Sequence, residues 1–337
     1  MHTKSVLRLR SIAIILAATS LLALSSCSAI EVKLGTRVSL SKTPVTSIEA
    51  RLANDPGIAP GEKSPLIVTV TEPTGQILTT EGKGKGKVLW KELTVTPTLV
   101  TADKKGNLTL AHDPRVSDGK MAHVTITVPT HPGIVADLDI PVTYNYAFVS
   151  TYAGADGSTG SSGSNGQDGS AGISGSTDPD NPTPGGDGGN GTNGSDGGNG
   201  GDGYNGPAVQ VVATLRAGDH PLLQIGVTAA GAKHQHLYLV DPTGGSLTVK
   251  SLGGSGGVGG KGGRGGSGGA GGSGSPPGNS GTSGNSGSDG ASGSDGSGGP
   301  ITVTYDPSVQ PYLATIRLSN PGGPKPVFIQ APVAPLW

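Results

Sequence analysis

Hydrophobic and polar residues alternate with a period of two in several short segments of this chain. The alternation is clearest over residues 47–52, 66–71 and 124–128, which are rich in Val, Ile and Thr. Successive side chains of a β-strand point to opposite faces of a sheet, so this period predicts strands buried on one face. Clusters of turn-forming residues separate the segments, as at residues 72–75 and 104–107. The pattern predicts a β-sandwich over residues 47–152 and no helix after residue 26.

Two further segments, residues 207–252 and 300–337, also carry apolar strand patterns. In the first we predict a hairpin that turns at residues 217–220 and a second that turns at residues 241–245. In the second we predict strands at residues 301–305 and 313–318. A segment of about 40 residues is too short to build a good core alone. The two segments are therefore expected to complete one small domain of about six strands.

Four glycine-rich tracts flank these β segments, and we number them in chain order. They cover residues 154–175, 185–206, 254–272 and 278–299, and Gly occupies all 31 positions that are in phase with a three-residue repeat. A flexible linker needs no such phase. A helix with three residues per turn would have one side without side chains, which is the geometry of polyproline II. The repeat therefore predicts rods whose glycine side packs against a neighbour.

The positions of the tracts suggest how the rods are arranged. If the β segments belong to one domain, residues 154–206 and 253–299 must each fold back as a glycine hairpin. Turn formers at residues 176–184 and at Ser275-Pro276-Pro277 support this, although the third and fourth tracts could instead form one long rod. The second and third tracts have the most Gly per triplet, so we expect them to be the inner pair. At about 3.1 Å per residue, each 22-residue rod would be roughly 68 Å long.

These features resemble known families at the level of pattern. The tracts resemble the polyproline-II bundles of some antifreeze proteins and phage fibre tips, and residues 47–152 resemble a bacterial immunoglobulin-like domain that lacks a cysteine pair. Two alternatives remain open for the tracts. They could be a collagen-like trimeric stalk, although they contain no Pro, or a disordered tether, because ordering Gly carries a high entropic cost.

The first residues have the pattern of an export signal. Three basic residues precede an apolar run over residues 12–24. The run ends at Leu24-Ser25-Ser26-Cys27, which resembles the lipobox of bacterial lipoproteins. This resemblance implies that residues 1–26 are removed, that Cys27 is the lipid attachment site, and that residues 27–46 form a polar lead-in. The alternative is an ordinary secretory signal with an incidental cysteine.

Composition narrows the possible partners. The formal charge is −1, and a near-neutral, slightly acidic chain is a poor ligand for nucleic acid. The lipobox implies that the membrane is a partner, through acyl chains on Cys27. Ser28 follows the cysteine, which favours the outer membrane in a host with two membranes. A further protein or glycan partner is possible and is not identified by the sequence.

Few residue patterns in this sequence indicate a catalytic or metal-binding site. Residues 197–204 match one turn of a calcium-binding nonapeptide, His234 and His236 could face one side of a strand, and Gly266-Ser267-Gly268 lies in a G-x-S-x-G string. Each pattern lacks the copies, third ligand or partners that its chemistry requires, so we predict no enzyme, cofactor or metal site. The aspartates of the tracts are expected to be solvated, with one ion pair between Asp196 and Arg264. They are Asp156, Asp168, Asp187, Asp196, Asp202, Asp289 and Asp295.

Together these observations predict a membrane-anchored lipoprotein of the cell envelope. Its role would be structural or interactive, with the rods forming a rigid glycine-rich blade. One alternative is a surface protein that binds calcium, a glycan or ice. The other is a collagen-like trimeric stalk.

Overall fold

The protein is mainly β-sheet with few helices. The structure is a computed structural model that describes residues 31–337, apart from residues 33, 35, 55, 217 and 219. The predicted signal at residues 1–26 and the predicted lipid site at Cys27 lie outside the described residues. The chain divides into two compact units, and the boundary follows Tyr146.

The first unit contains two antiparallel sheets. One sheet has the order β1-β2-β6-β5, with β3 also paired to β2, and the other has the order β4-β7-β8. The strands are β1 (Ser47–Leu52), β2 (Lys63–Thr71), β3 (Ile77–Thr79), β4 (Thr94–Thr98), β5 (Val100–Ala102), β6 (Asn107–Leu110), β7 (Met121–Thr127) and β8 (Val135–Pro141).

Strands of both sheets contribute to one hydrophobic core. In β7, Ala122, Val124 and Ile126 are fully buried, while the residues between them are partly exposed. This is the period of two that predicted the strand. The strand predicted at residues 47–52 is confirmed as β1.

The prediction of no helix after residue 26 is wrong for short segments. A single α-helical turn, α1, covers Pro114–Ser117, and 3₁₀ segments cover Leu40–Lys42, Gly82–Gly84, Trp90–Glu92 and Pro307–Thr315. The turn α1 and the longest 3₁₀ segment both begin with Asp-Pro. Asp113 and Asp306 accept hydrogen bonds from backbone N–H groups of the first turn, and Pro needs no N–H partner there.

The second unit has a five-stranded sheet of order β12-β11-β10-β14-β16 and a three-stranded sheet of order β15-β13-β9. Its strands are β9 (Ala147–Ala153), β10 (Val209–Arg216), β11 (Leu222–Ala229), β12 (His236–Val240), β13 (Ser246–Leu252), β14 (Ile301–Tyr305), β15 (Ile316–Ser319) and β16 (Val327–Gln330). Strand β9 pairs with β13, so the sequence-based boundary at residue 152 falls inside a strand of this unit.

The pairing in this unit differs from the prediction in two places. The hairpin of β10 and β11 is confirmed, but the hairpin predicted at residues 241–245 is wrong. Strand β12 pairs with β11, whereas β13 pairs with β9 and β15, so the turn carries the chain from one sheet to the other. The predicted strand at residues 313–318 begins only at Ile316, after the 3₁₀ segment.

The glycine tracts contain no regular helix or strand, and they are joined by backbone hydrogen bonds at every third residue. The first tract donates six bonds to the third tract and two more to Leu252 and Ser273 beside it. The second tract donates seven bonds to the fourth and one to Pro276. Seven bonds run from second to first, seven from third to second and seven from fourth to third. We call these four hydrogen-bonded tracts the tract bundle.

The order of the tracts in the bundle matches the one predicted from glycine density. The second and third tracts bond to each other, and the first and fourth bond to both of them. Among the described residues of the tracts, no backbone bond joins the first to the fourth. The third and fourth tracts run antiparallel, because Gly278 N donates to Gly272 O and Gly296 N donates to Gly254 O. The hairpin alternative is therefore the one observed.

Candidate functional site

The second tract carries an acidic or amide side chain at the third position of every triplet. The seven residues are Asp187, Asn190, Asn193, Asp196, Asn199, Asp202 and Asn205. Each one accepts a hydrogen bond through Oδ1 from a backbone N–H of the fourth tract, at 2.6–2.9 Å. We call this row the Asx ladder.

The ladder completes the hydrogen bonding of the neighbouring backbone. Asp196 Oδ1 accepts from Ser288 N, and the next residue, Gly197, donates its N–H to Ser288 O. The same two bonds recur one triplet later, where Asn199 and Gly200 bond to both backbone groups of Ala291. A hydrogen bond of this kind contributes about 0.5–1.5 kcal/mol, so a side-chain acceptor at this position stabilises the packing of the tracts.

The tract aspartates are exposed, as the sequence predicts, and they also make hydrogen bonds that the sequence did not reveal. All seven accept a backbone N–H from a neighbouring tract, although their side chains are exposed. The first tract uses Asp156 and Asp168 against the third tract, and the fourth tract uses Asp289 and Asp295 in the same way. The sequence feature that could have revealed the ladder is the Asp or Asn at the third position of every triplet of the second tract.

The predicted ion pair is corrected. Among the described residues no ion pair joins Asp196 to Arg264, because the Asp196 carboxylate accepts from Ser288 N. The observed pair joins Lys261 Nζ to Asp289 Oδ2 at 2.7 Å. The hydrogen bond from Lys261, with a second from Gly262 N–H, holds the pKa of Asp289 below its usual value. Both side chains are well exposed, so this pair contributes little to stability.

Three comparisons with known proteins give no relative. The chain matches no protein-family model, no curated protein and no solved structure. Its function must therefore be argued from its own residues.

The other residues that the sequence analysis singled out are the two histidines, the nonapeptide match and Ser267. Over the described part of the chain, no three His, Cys, Asp or Glu side chains are placed to hold a metal ion. This covers His234, His236 and Asp202, the one aspartate of the nonapeptide match. Ser267 is engaged through its backbone, since its N–H donates to Asp168 Oδ1 and its carbonyl accepts from Gly169 N.

The first unit has a cleft and a hydrogen-bonded histidine. The cleft has a volume of about 460 Å³ and is lined in part by Trp90, Lys91 and Lys104. Trp90 is only 7% exposed, so its ring belongs to the core and offers no open face to a ligand. On the outer face of β7, the hydrogen bond from His123 Nδ1 to Asp139 Oδ1 (2.7 Å) is the main cause that raises the pKa of His123.

The tract bundle is the most regular surface of the described chain. Polar side chains stand in rows along each tract, one triplet apart, and the hydrogen bonds of the backbone fix their spacing. The tracts hold seven aspartates and two cations, and the linker between the first two tracts adds Asp178 and Asp180. The formal charge of residues 154–206 and 253–299 is therefore −7. Such a surface can present a repeated set of hydrogen-bonding groups to a partner. None of the described helices is long and apolar enough to cross a membrane.

Proposed function

We propose that this protein is a lipid-anchored lipoprotein of the cell envelope whose tract bundle is a rigid, polar blade with a structural or interactive role. The observation that carries the proposal is the hydrogen-bond network of the tracts, which engages a Gly N–H in every triplet within one chain. A tether would not need this network, and the lipobox at Leu24-Ser25-Ser26-Cys27 supplies the anchor.

We infer that each tract is a polyproline-II helix. Bonds between tracts recur every third residue, which fits a helix of three residues per turn whose backbone makes no internal bonds. A Cβ at an in-phase Gly would collide with the backbone of a neighbouring tract, as at Gly160 against Gly198 O. Only Gly therefore allows this close packing.

We infer that the first unit is an immunoglobulin-like sandwich. Two antiparallel sheets that share one core support this, as does the alternation of buried and exposed residues along β7 and β8. In this proposal the first unit connects the anchor to the second unit, which bears the blade.

The network also favours a blade formed by one chain over a collagen-like stalk. A collagen triple helix needs the in-phase Gly N–H groups for bonds between chains. Here these groups bond within the chain, and the second and third tracts run antiparallel to each other. Parallel association of three chains would require breaking these bonds.

The anchor is tested by labelling cells that express the full chain with a palmitate analogue. We expect Cys27→Ala to abolish labelling and to move the protein from the membrane fraction to the soluble fraction, because Cys27 is the sole cysteine of the chain. Ser26→Ala, which leaves the thiol in place, serves as the control and should retain labelling. Persistent labelling of Cys27→Ala would show that the lipid is attached elsewhere and would refute this anchor.

A further inference from the structure

A loop of the first unit presents three lysines from a fixed backbone. Residues 81–87 read Glu-Gly-Lys-Gly-Lys-Gly-Lys, and the side chains of Lys83, Lys85 and Lys87 are exposed. Lys85 N donates to Gly82 O at 3.0 Å, Gly86 N donates to Thr80 O at 3.0 Å, and Thr79 Oγ1 donates to Gly84 O at 2.9 Å. We call residues 81–87 the lysine loop.

The backbone of the lysine loop is strained at one of these lysines. Lys85 has φ of 52°, in the left-handed region that favours Gly. Leu99 also has a positive φ, but its side chain packs against the hydrophobic core, which offsets the cost. Lys85 is exposed and has no such packing. Backbone strain of this kind often lies at functional positions, and what Lys85 adds over Gly at this exposed position is a charged side chain.

The lysine loop lies beside the point where the predicted anchor enters the fold. Val38 N donates to Lys87 O at 2.9 Å. Arg37 lies 3.8 Å from a Glu31 carboxylate oxygen and 3.7 Å from one of Glu81, the first residue of the loop. Glu31 is the fourth residue after Cys27, so the two lie at most about 14 Å apart. A membrane that holds Cys27 is therefore close to the lysine loop.

The nearby carboxylates do not neutralise Lys83 or Lys85. Glu31 and Glu81 both face Arg37, and Glu81 Oε1 also accepts from Trp90 N at 3.2 Å. In the part of the chain that the structure describes, no carboxylate forms an ion pair with Lys83 or Lys85. Lys83 and Lys85 therefore present positive charge that no described carboxylate pairs, close in the chain to the predicted anchor.

We propose that Lys83 and Lys85 bind the anionic headgroups of the membrane in which Cys27 is anchored. The inference rests on the proposed lipid anchor for its location, but the charge contact does not need the lipid. Stable membrane attachment commonly combines an acyl chain with a basic patch. Each lysine near an anionic surface strengthens binding about fivefold.

The test measures binding of the unlipidated chain 28–337, which keeps every described residue, to vesicles. Vesicles of equal parts phosphatidylglycerol and phosphatidylcholine are compared with vesicles of phosphatidylcholine alone. We expect clear preference for the anionic vesicles, and roughly 25-fold weaker binding for K83Q/K85Q. The control K233Q/K325Q removes the same charge from exposed lysines of the second unit and should bind like the unsubstituted chain.

A second variant separates the loss of a charge from a loss of folding. Lys85→Gly relieves the positive φ, so its melting midpoint should rise by about 2–4 °C while its binding to anionic vesicles falls about fivefold. Equal binding to both kinds of vesicle, or equal binding by K83Q/K85Q and its control, would overturn the proposal. So would displacement from vesicles by inorganic phosphate beyond that by chloride of equal ionic strength. Failed palmitate labelling with intact vesicle binding would refute only the anchor.

Discussion

Replacing Gly260 with Ala is expected to lower the free energy of unfolding of the tract bundle by about 3 kcal/mol. Gly260 contacts all three other tracts. Its N–H donates to Gly198 O of the second tract, its carbonyl accepts from Gly290 N of the fourth, and a Cβ would overlap Ser161 O of the first. Because the obstacle is backbone held by its own hydrogen bonds, it cannot rotate away as a side chain would.

Denaturant unfolding followed by circular dichroism measures this effect. The control is Ala270→Ser in the same tract, which also adds one heavy atom but at an exposed second position of its triplet. We expect the control to change stability by less than about 0.5 kcal/mol. If Gly260→Ala were as mild as the control, the close packing of the third tract would be wrong.

Removing three acceptors from the middle of the Asx ladder is expected to lower the free energy of unfolding by about 2–3 kcal/mol. The triple variant D196A/N199A/D202A leaves the N–H groups of Ser288, Ala291 and Ser294 without their side-chain acceptors. Each lost bond contributes about 1 kcal/mol, and the sites are about 9 Å apart, so the losses should nearly add.

Two controls separate the hydrogen bond from charge and from alanine content. D196N/D202N keeps both Oδ1 acceptors, and its stability should stay within about 0.5 kcal/mol of the parent chain. T159A/S162A/S174A makes three exposed alanine substitutions on the first tract and should be equally mild. A triple ladder variant no less stable than this control would mean that the ladder does not hold the tracts together.

The sequence predicts the parts of this fold that depend on repetition. The triplet phase and the glycine density predict which tracts are inner, since a rod with two glycine positions per triplet can be approached from two sides. The period of two predicts β1 and β14 with their observed bounds. In these cases the pattern itself is the physical constraint.

Features that depend on the distant register of the chain could not be predicted in the same way. The Asp and Asn residues of the ladder do not stand out, because the tract around them is polar as well. Their hydrogen bonds can be recognised only once residue 196 is placed beside residue 288. The turn at residues 241–245 has hairpin chemistry, but the apolar strands beside it are equally suited to two different sheets. Strand β16 was missed because Pro324, Pro326 and Pro332 surround it.

The turn α1 and the 3₁₀ segment Pro307–Thr315 both begin with a local signal that can be read from the sequence. Asp113-Pro114 and Asp306-Pro307 are both an N-cap followed by proline at the first helical position. A search for long apolar periodicity overlooks such turns, because they contribute one buried side chain each or little more. For the Asx ladder, the sequence shows the Asp and Asn residues, but it does not show which backbone groups they bond.

The central claim is that the four tracts pack as extended rods within one chain, and pulsed electron paramagnetic resonance tests it directly. Spin labels are placed in chain 28–337, which lacks Cys27, as T159C/V258C and as S174C/V258C. Gly160 N donates to Val258 O, so the first pair should lie within about 20 Å. The second pair is displaced by 15 residues along the first tract, which predicts a narrow distribution near 46 Å at about 3.1 Å per residue. Broad, similar distributions for both pairs, or a short distance that disappears on dilution with unlabelled chain, would contradict the account.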